Sequence, residues 1–231
     1  RIVRDVTRLG EPVLTSMVPP GSIRGYNPPR GLAHDHGDAR RALDASGWTP
    51  RPGGTLRHDR GAVAPALELL YRADRDDERW LSLELQRQWR STLGLDITLR
   101  ATNAKFFNTF VREGQFSLAL SQWFGDYADP TTFLNLFRTD DGNNIRGFAD
   151  PDFDAGLDAA DRLLDADARL QALAACEADL LRRHAPVAPL FQLVQVYMFD
   201  PARIEGLTTH PRLVHLLWNV RRRPATPGDA P

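Results

Sequence analysis

Residues 75–100 read RDDERWLSLELQRQWRSTLGLDITLR, and their reading decides the fold. Leu81, Leu85, Trp89 and Leu93 recur four apart and lie on one stripe of a helix, which predicts a helix over 75–93 stopped by Gly94. Immediately beyond, Leu95, Ile97 and Leu99 alternate with Asp96, Thr98 and Arg100, the period-two mark of a half-buried strand. With residues 66–71 read as a preceding strand, the stretch becomes a strand–helix–strand unit.

The same alternation continues outward. Residues 103–112 predict a second helix ended at Gly114, and Phe116, Leu118 and Leu120 alternate with Ser117, Ala119 and Ser121 up to Trp123. Strand, helix, strand, helix, strand in this order predicts an α/β fold, a mixed or parallel sheet flanked by helices. In such sheets ligands gather beyond the carboxyl ends of strands, and residues 123–129 lie at one such end.

Upstream, residues 2–9 read as a helix, and residues 11–37 carry a density of Pro and Gly that breaks both helix and ladder hydrogen bonding. Residues 1–36 are therefore expected to form a crossover or hinge. Asp35 stands as an N-cap before a short helix over 37–46 that Gly47 ends. Downstream, helices are expected over 152–164 and 166–184, a strand buried on both faces over 190–199, a turn at Gly206 and a last strand over 213–220. This organises the chain as a ligand-binding lobe over 37–200, returning strands within 201–222, and a disordered tail over 223–231.

Composition narrows the partners. The 231 residues are 42% apolar, which supports a real core, and 29 Lys and Arg against 30 Asp and Glu leave no basic field for nucleic acid or an anionic membrane. Lys105 is the sole lysine; the excess of arginine is read as codon bias. The longest apolar run, residues 185–199, is interrupted by Gln192 and Gln195 and is too short to span a membrane. A lone Cys176 excludes an internal disulfide. Arg1 opens the chain with no start methionine, signal core or cleavage site, so it reads as the later part of something longer.

Two metal-like patterns fail on their chemistry. Asp150, Asp152, Asp154, Gly156, Asp158 and Asp161 imitate a calcium loop, but Ala155 occupies the turn-glycine position and Asp161 replaces the bidentate Glu. His34, Asp35 and His36 are consecutive, and three consecutive side chains seldom converge on one ion. No nucleophile elbow, zinc helix or phosphate loop occurs, so neither enzyme chemistry nor a cofactor is expected.

The stretch QWFGDYADPTTFLN at 122–135 is different in kind. Its aromatics and carboxylates at a strand end suit a ligand with a cationic head and an extended body, since a desolvated ammonium needs an anionic acceptor. Read more plainly, it is a turn in which Asp129 caps the helix after Pro130. The residues alone leave the two readings even.

WFGDYADPTTFLNLF at 123–137 resembles the WxxDYxxPxxFLN stretch of the oligopeptide-binding proteins that serve peptide ABC importers. VPPG at 18–21, GY at 25–26, ALDASGW at 42–48, LQRQWRSTLGLDITL at 85–99, FADPDFDAGLDAA at 148–160 and APVAPLF at 185–191 resemble the same family in order and spacing. The resemblance runs over about residues 1–220. It implies a lobe of the type II periplasmic-binding-protein fold, a partial chain whose returning strands lead toward a missing N-terminal lobe.

It further implies a solute-binding protein without catalysis, outside the cytoplasmic membrane, which takes a peptide ligand and delivers it to the membrane subunits of an ABC importer. By the motif, Asp126 pairs with the peptide's amino group and Trp123 lines a side-chain pocket, with Phe124, Gly125 and Tyr127 beside them. Asn103, Asn143 and Asn144 are further candidates for polar contacts. Where some family members carry Arg three residues before the Trp this chain has Leu120, and a second family Trp falls at Ala104. The alternative is an effector-sensing lobe of a cytoplasmic transcription regulator.

Overall fold

The computed structural model describes residues 1–63, 66–207 and 216–224. In chain order the helices and strands are α1 (His36–Ala45), β1 (Trp48–Pro50), β2 (Leu56–His58), β3 (Glu68–Arg72), α2 (Asp76–Leu93), β4 (Thr98–Thr102), α3 (Ala104–Arg112), β5 (Leu118–Ala119), α4 (Thr131–Leu134), α5 (Pro151–Asp161), α6 (Ala166–Asp179), β6 (Ile204–Glu205) and β7 (Arg221–Arg222).

The centre is a parallel sheet in the order β4-β3-β5, with Leu69 opposite Leu99 on one side and Leu118 on the other. Strand β3 is apolar at both parities because both its faces are covered. Leu69 and Tyr71 pack with Leu81 and Leu85 of α2 and with Leu95, Ile97 and Leu120, while Leu70 packs with Phe107 and Val111 of α3. Helix α2 begins with Asp76, Asp77 and Glu78 and has Arg90 in its last turn, charges placed to suit the helix dipole. Two antiparallel ribbons, β1-β2 and β6-β7, flank this unit in the chain.

A second core forms where α5 and α6 pair. Phe153, Leu157, Ala160, Leu173 and Leu180 pack with Phe133, Leu134, Leu136 and Phe137 around α4, and with Val18, Ile23 and Tyr26 from the Pro-rich crossover. Asp150 and Asp165 cap the two helices, accepting from Phe153 N–H and Ala168 N–H. The crossover is anchored here by one side chain. Glu177 of α6, fully buried, accepts from Met17 N–H at 2.6 Å, Val18 N–H at 3.0 Å and Tyr26 O–H at 2.6 Å. The VPPG and GY stretches thus hang on a carboxylate about 150 residues away.

Several expectations are corrected. The strand expected over 95–99 enters the ladder only at Thr98, because Thr98 N–H meets Leu67 carbonyl; Leu95 and Ile97 serve the core first. The opening helix is a π-type coil over Ile2–Thr7, closed by Arg8 at positive φ. The helices expected over 152–164 and 166–184 end earlier, at Asp161 and Asp179, the second running on as a π-type turn, Leu180–His184. No strand forms over 190–199, which makes only an isolated bridge, Val13 to Phe191. Its partner there is the Pro-interrupted 12–14 segment, and Val196 and Met198 are exposed rather than buried. Of the last strand expected over 213–220, residues 213–215 lie outside the described residues and Leu217–Asn219 is a 3₁₀ turn. The ladder falls instead on β7, and Arg223 N–H still bonds Arg203 carbonyl at the start of the expected tail. Residues 225–231 lie outside the described residues.

Candidate ligand-binding cavity

Beyond the carboxyl end of β5 the chain turns through 121–129 before α4, and this turn forms one wall of a cavity of about 840 Å³. Leu81, Leu85 and Trp89 of α2 form another, and the 186–193 segment a third.

The turn is built from its own sequence. Trp123 Nε1–H donates to Thr132 carbonyl at 2.9 Å, and Asp126 N–H donates to Thr132 Oγ1 at 2.8 Å. Asp129 Oδ1 accepts from both Thr131 N–H at 3.0 Å and Thr131 Oγ1–H at 2.7 Å. The two buried threonines after Pro130 therefore receive the loop and fix it on the first turn of α4. Gly125 lies so close that a Cβ there would stand 3.2 Å from the Phe133 ring and from Thr132 Cγ2.

Asp129 bonds Thr131, the first residue of α4, although the N-cap of that helix is Pro130, and it also reaches α6. Arg169 of α6 donates to it through Nη1 at 2.6 Å and Nη2 at 3.2 Å, and the same guanidinium reaches Asp161 at 3.3 Å. Partial burial raises the Asp129 carboxyl's pKa, but the bonds from Arg169 and Thr131 outweigh it and hold it below the usual carboxylate range. Arg138 continues the network to Asp158 at 2.6 Å and Asp161 at 3.3 Å. The acidic run that imitates a calcium loop is thus engaged: Asp150 caps α5, Asp154 accepts from Thr139 N–H, and Asp158 and Asp161 pair with arginines.

Of the expected site residues, Trp123, Phe124, Gly125 and Tyr127 line the cavity. Asp126 sits between them, exposed, and is not itself part of the lining. The three asparagines are not brought to the cavity. Asn103 caps α3 by accepting from Phe106 N–H, Asn143 is exposed with its N–H on Asp141, and Asn144 ties the Arg138 and Phe148 carbonyls together.

Two lining residues have no signal in the spacing of the sequence: Arg146 and Phe148. Arg146 is half-buried; its one hydrogen bond runs from Nη1 to Asn143 carbonyl at 3.4 Å, and it pairs with no carboxylate among the described residues. Burial lowers its pKa from the ordinary value, though a guanidinium stays charged.

The fold is that of solved solute-binding proteins. An oligopeptide-binding protein of an ABC transporter from Borrelia burgdorferi matches with a TM-score of 0.78 at 22% identity, over 96% of this chain and 42% of that one. The family model described as bacterial extracellular solute-binding proteins, family 5, middle, matches residues 1–145, and the chain belongs to that family. Among curated relatives, the periplasmic murein peptide-binding protein MppA of Escherichia coli is 29% identical over 58% of this chain and 25% of its own length. The oligopeptide-binding protein OppA of Bacillus subtilis is 24% identical over 86% of this chain and 36% of its own. The chain therefore spans about a quarter to two fifths of the length of these three relatives. No helix among the described residues is long and apolar enough to cross a membrane.

Proposed function

We propose that this chain is the ligand-binding lobe of a peptide receptor that works outside the cytoplasmic membrane and hands its cargo to the membrane subunits of an ABC importer. The observation that carries this reading is the aromatic wall of Trp123, Phe124 and Tyr127, held at the carboxyl end of a parallel strand, in a chain of the solute-binding family. Binding, not catalysis, is its task. An N-terminal lobe supplies the opposite wall.

Asp126 receives the peptide's amino group. Its backbone N–H is fixed by Thr132, and it follows and precedes two cavity-lining residues in the chain, Gly125 and Tyr127. Closure of a second lobe over this turn would strip water from the carboxylate and strengthen its bond to an ammonium. The effector-sensing alternative gains no support from the relatives described above.

Calorimetry of the intact protein with a pool of tri- to pentapeptides tests the reading. Free peptides should bind, and N-acetylation or Asp126→Asn should each weaken binding roughly 10- to 150-fold with an unchanged circular dichroism spectrum. Equal binding of acetylated peptides would remove Asp126 from amine recognition, and no binding by any peptide would remove the receptor reading.

A further inference from the structure

Among the described residues, three charged side chains line the cavity: Asp77, Glu78 and Arg146. The two carboxylates are neutralised at once by their own neighbours. Asp77 accepts from Arg75 Nε at 3.1 Å and Nη2 at 2.7 Å, while Glu78 pairs with the Arg72 guanidinium and accepts Arg72 N–H at 2.9 Å. Arg146 has no such partner among the described residues, only the long bond to Asn143 carbonyl. Among the described residues, Arg146 is thus the lining charge without an ion-pair partner.

A half-buried guanidinium with most of its donors unused is costly, and its planar fork matches a carboxylate with two parallel bonds. The cavity it lines is mostly apolar and aromatic, with Trp123, Phe148, Leu120 and Val187 among its residues. A second charge of the ligand, the ammonium assigned above to Asp126, would lie at a different part of the cavity.

We propose that Arg146 is the anion-recognising residue of this cavity and receives the carboxylate of a ligand whose body is apolar. Resting on the receptor reading above, the carboxylate is the free C-terminus of a short peptide. This chain then recognises the ligand's acidic end from a position beyond α4, although Leu120 replaces the Arg that some family members carry before the Trp.

The test uses the intact protein and three probes: the free-acid peptide pool, the same pool C-terminally amidated, and dodecanoate as an apolar carboxylate that is not a peptide. The free-acid pool should bind about 10- to 100-fold tighter than the amidated pool. Arg146→Gln should erase that difference, and Arg146→Lys, which keeps the charge without the fork, should fall between. Should Arg146→Gln fail to fold, the two pools on the unaltered protein and Arg146→Lys decide. If the pools bind equally and Arg146→Gln changes nothing, the assignment of Arg146 is overturned while the receptor reading stands. If neither pool binds but dodecanoate does, in an Arg146-dependent way, the anion site stands and the peptide reading falls. If none of the three binds, both fall.

Discussion

Glu177 is the residue on which the crossover depends. Three donors converge on its carboxylate, two of them backbone N–H groups that have no alternative acceptor once buried. Burial raises its pKa above the ordinary carboxylate value, and the bonds from Tyr26, Val18 and Met17 oppose that rise. Glu177→Ala leaves the three donors unsatisfied, and each orphaned buried group costs about 1 to 3 kcal/mol, so a total loss of at least about 3 kcal/mol is expected. Glu177→Gln keeps an amide oxygen for Met17 and Val18 and should lose far less. Guanidinium unfolding midpoints of the two variants check this; an Ala variant as stable as the Gln variant would show that the crossover is held by its apolar contacts alone.

At the scale of elements, α5 and α6 approach each other at Gly156, where a Cβ would lie 2.8 Å from Cys176 Sγ. Two opposing effects meet at this position. Alanine is the better helix former by about 1 kcal/mol. Overpacking a tight contact costs about 1 to 3 kcal/mol. Gly156→Ala should therefore destabilise the native protein, yet stabilise a Cys176→Ala background in which the sulfur is gone. A double-mutant cycle by thermal melting measures the sign change, and additive effects would refute the contact.

The same scale shows what the sequence makes legible. Helix α2 is readable because Leu81, Leu85, Trp89 and Leu93 share one stripe that faces a sheet. Asp35 is readable as a cap because its chemistry is local. The segment at 190–199 is not, because its apolar residues at both parities name no partner and the segment it meets is interrupted by Pro12. In the cavity, the aromatics of 123–127 are legible as a cluster. Arg146 and Phe148 are not, since a return of the chain after α4, not any spacing, brings them there. Nor does the sequence announce the partnership of Asp129 with Arg169, 40 residues away.

For the whole molecule, the balance of carboxylates predicts where acid unfolds it. Glu84 is held down to about 2 by its bonds from Arg87, with Gln88 and Arg1 adding to the effect. Arg75 lowers Asp77, the N–H groups at the start of α1 lower Asp35, and Asp129 is lowered on balance by Arg169 and Thr131. A carboxylate whose folded pKa lies below its unfolded value near 4 contributes stability that is fully present above that unfolded value and is lost as pH falls through the folded pKa. Glu177 works in the opposite sense: its raised pKa favours the folded state most at low pH and withdraws that advantage as pH rises through it. One group is set against several, and below pH 4 the 29 Lys and Arg with 6 His lose their compensating charge and repel one another. Stability should therefore fall steeply between about pH 4 and 2. Glu177→Gln should make that fall steeper, because it removes a carboxyl whose raised pKa favours the folded state at low pH. Urea titrations at each pH measure both curves; a Glu177→Gln protein that loses stability less steeply than the parent below pH 4 would show that burial is not what governs this carboxylate.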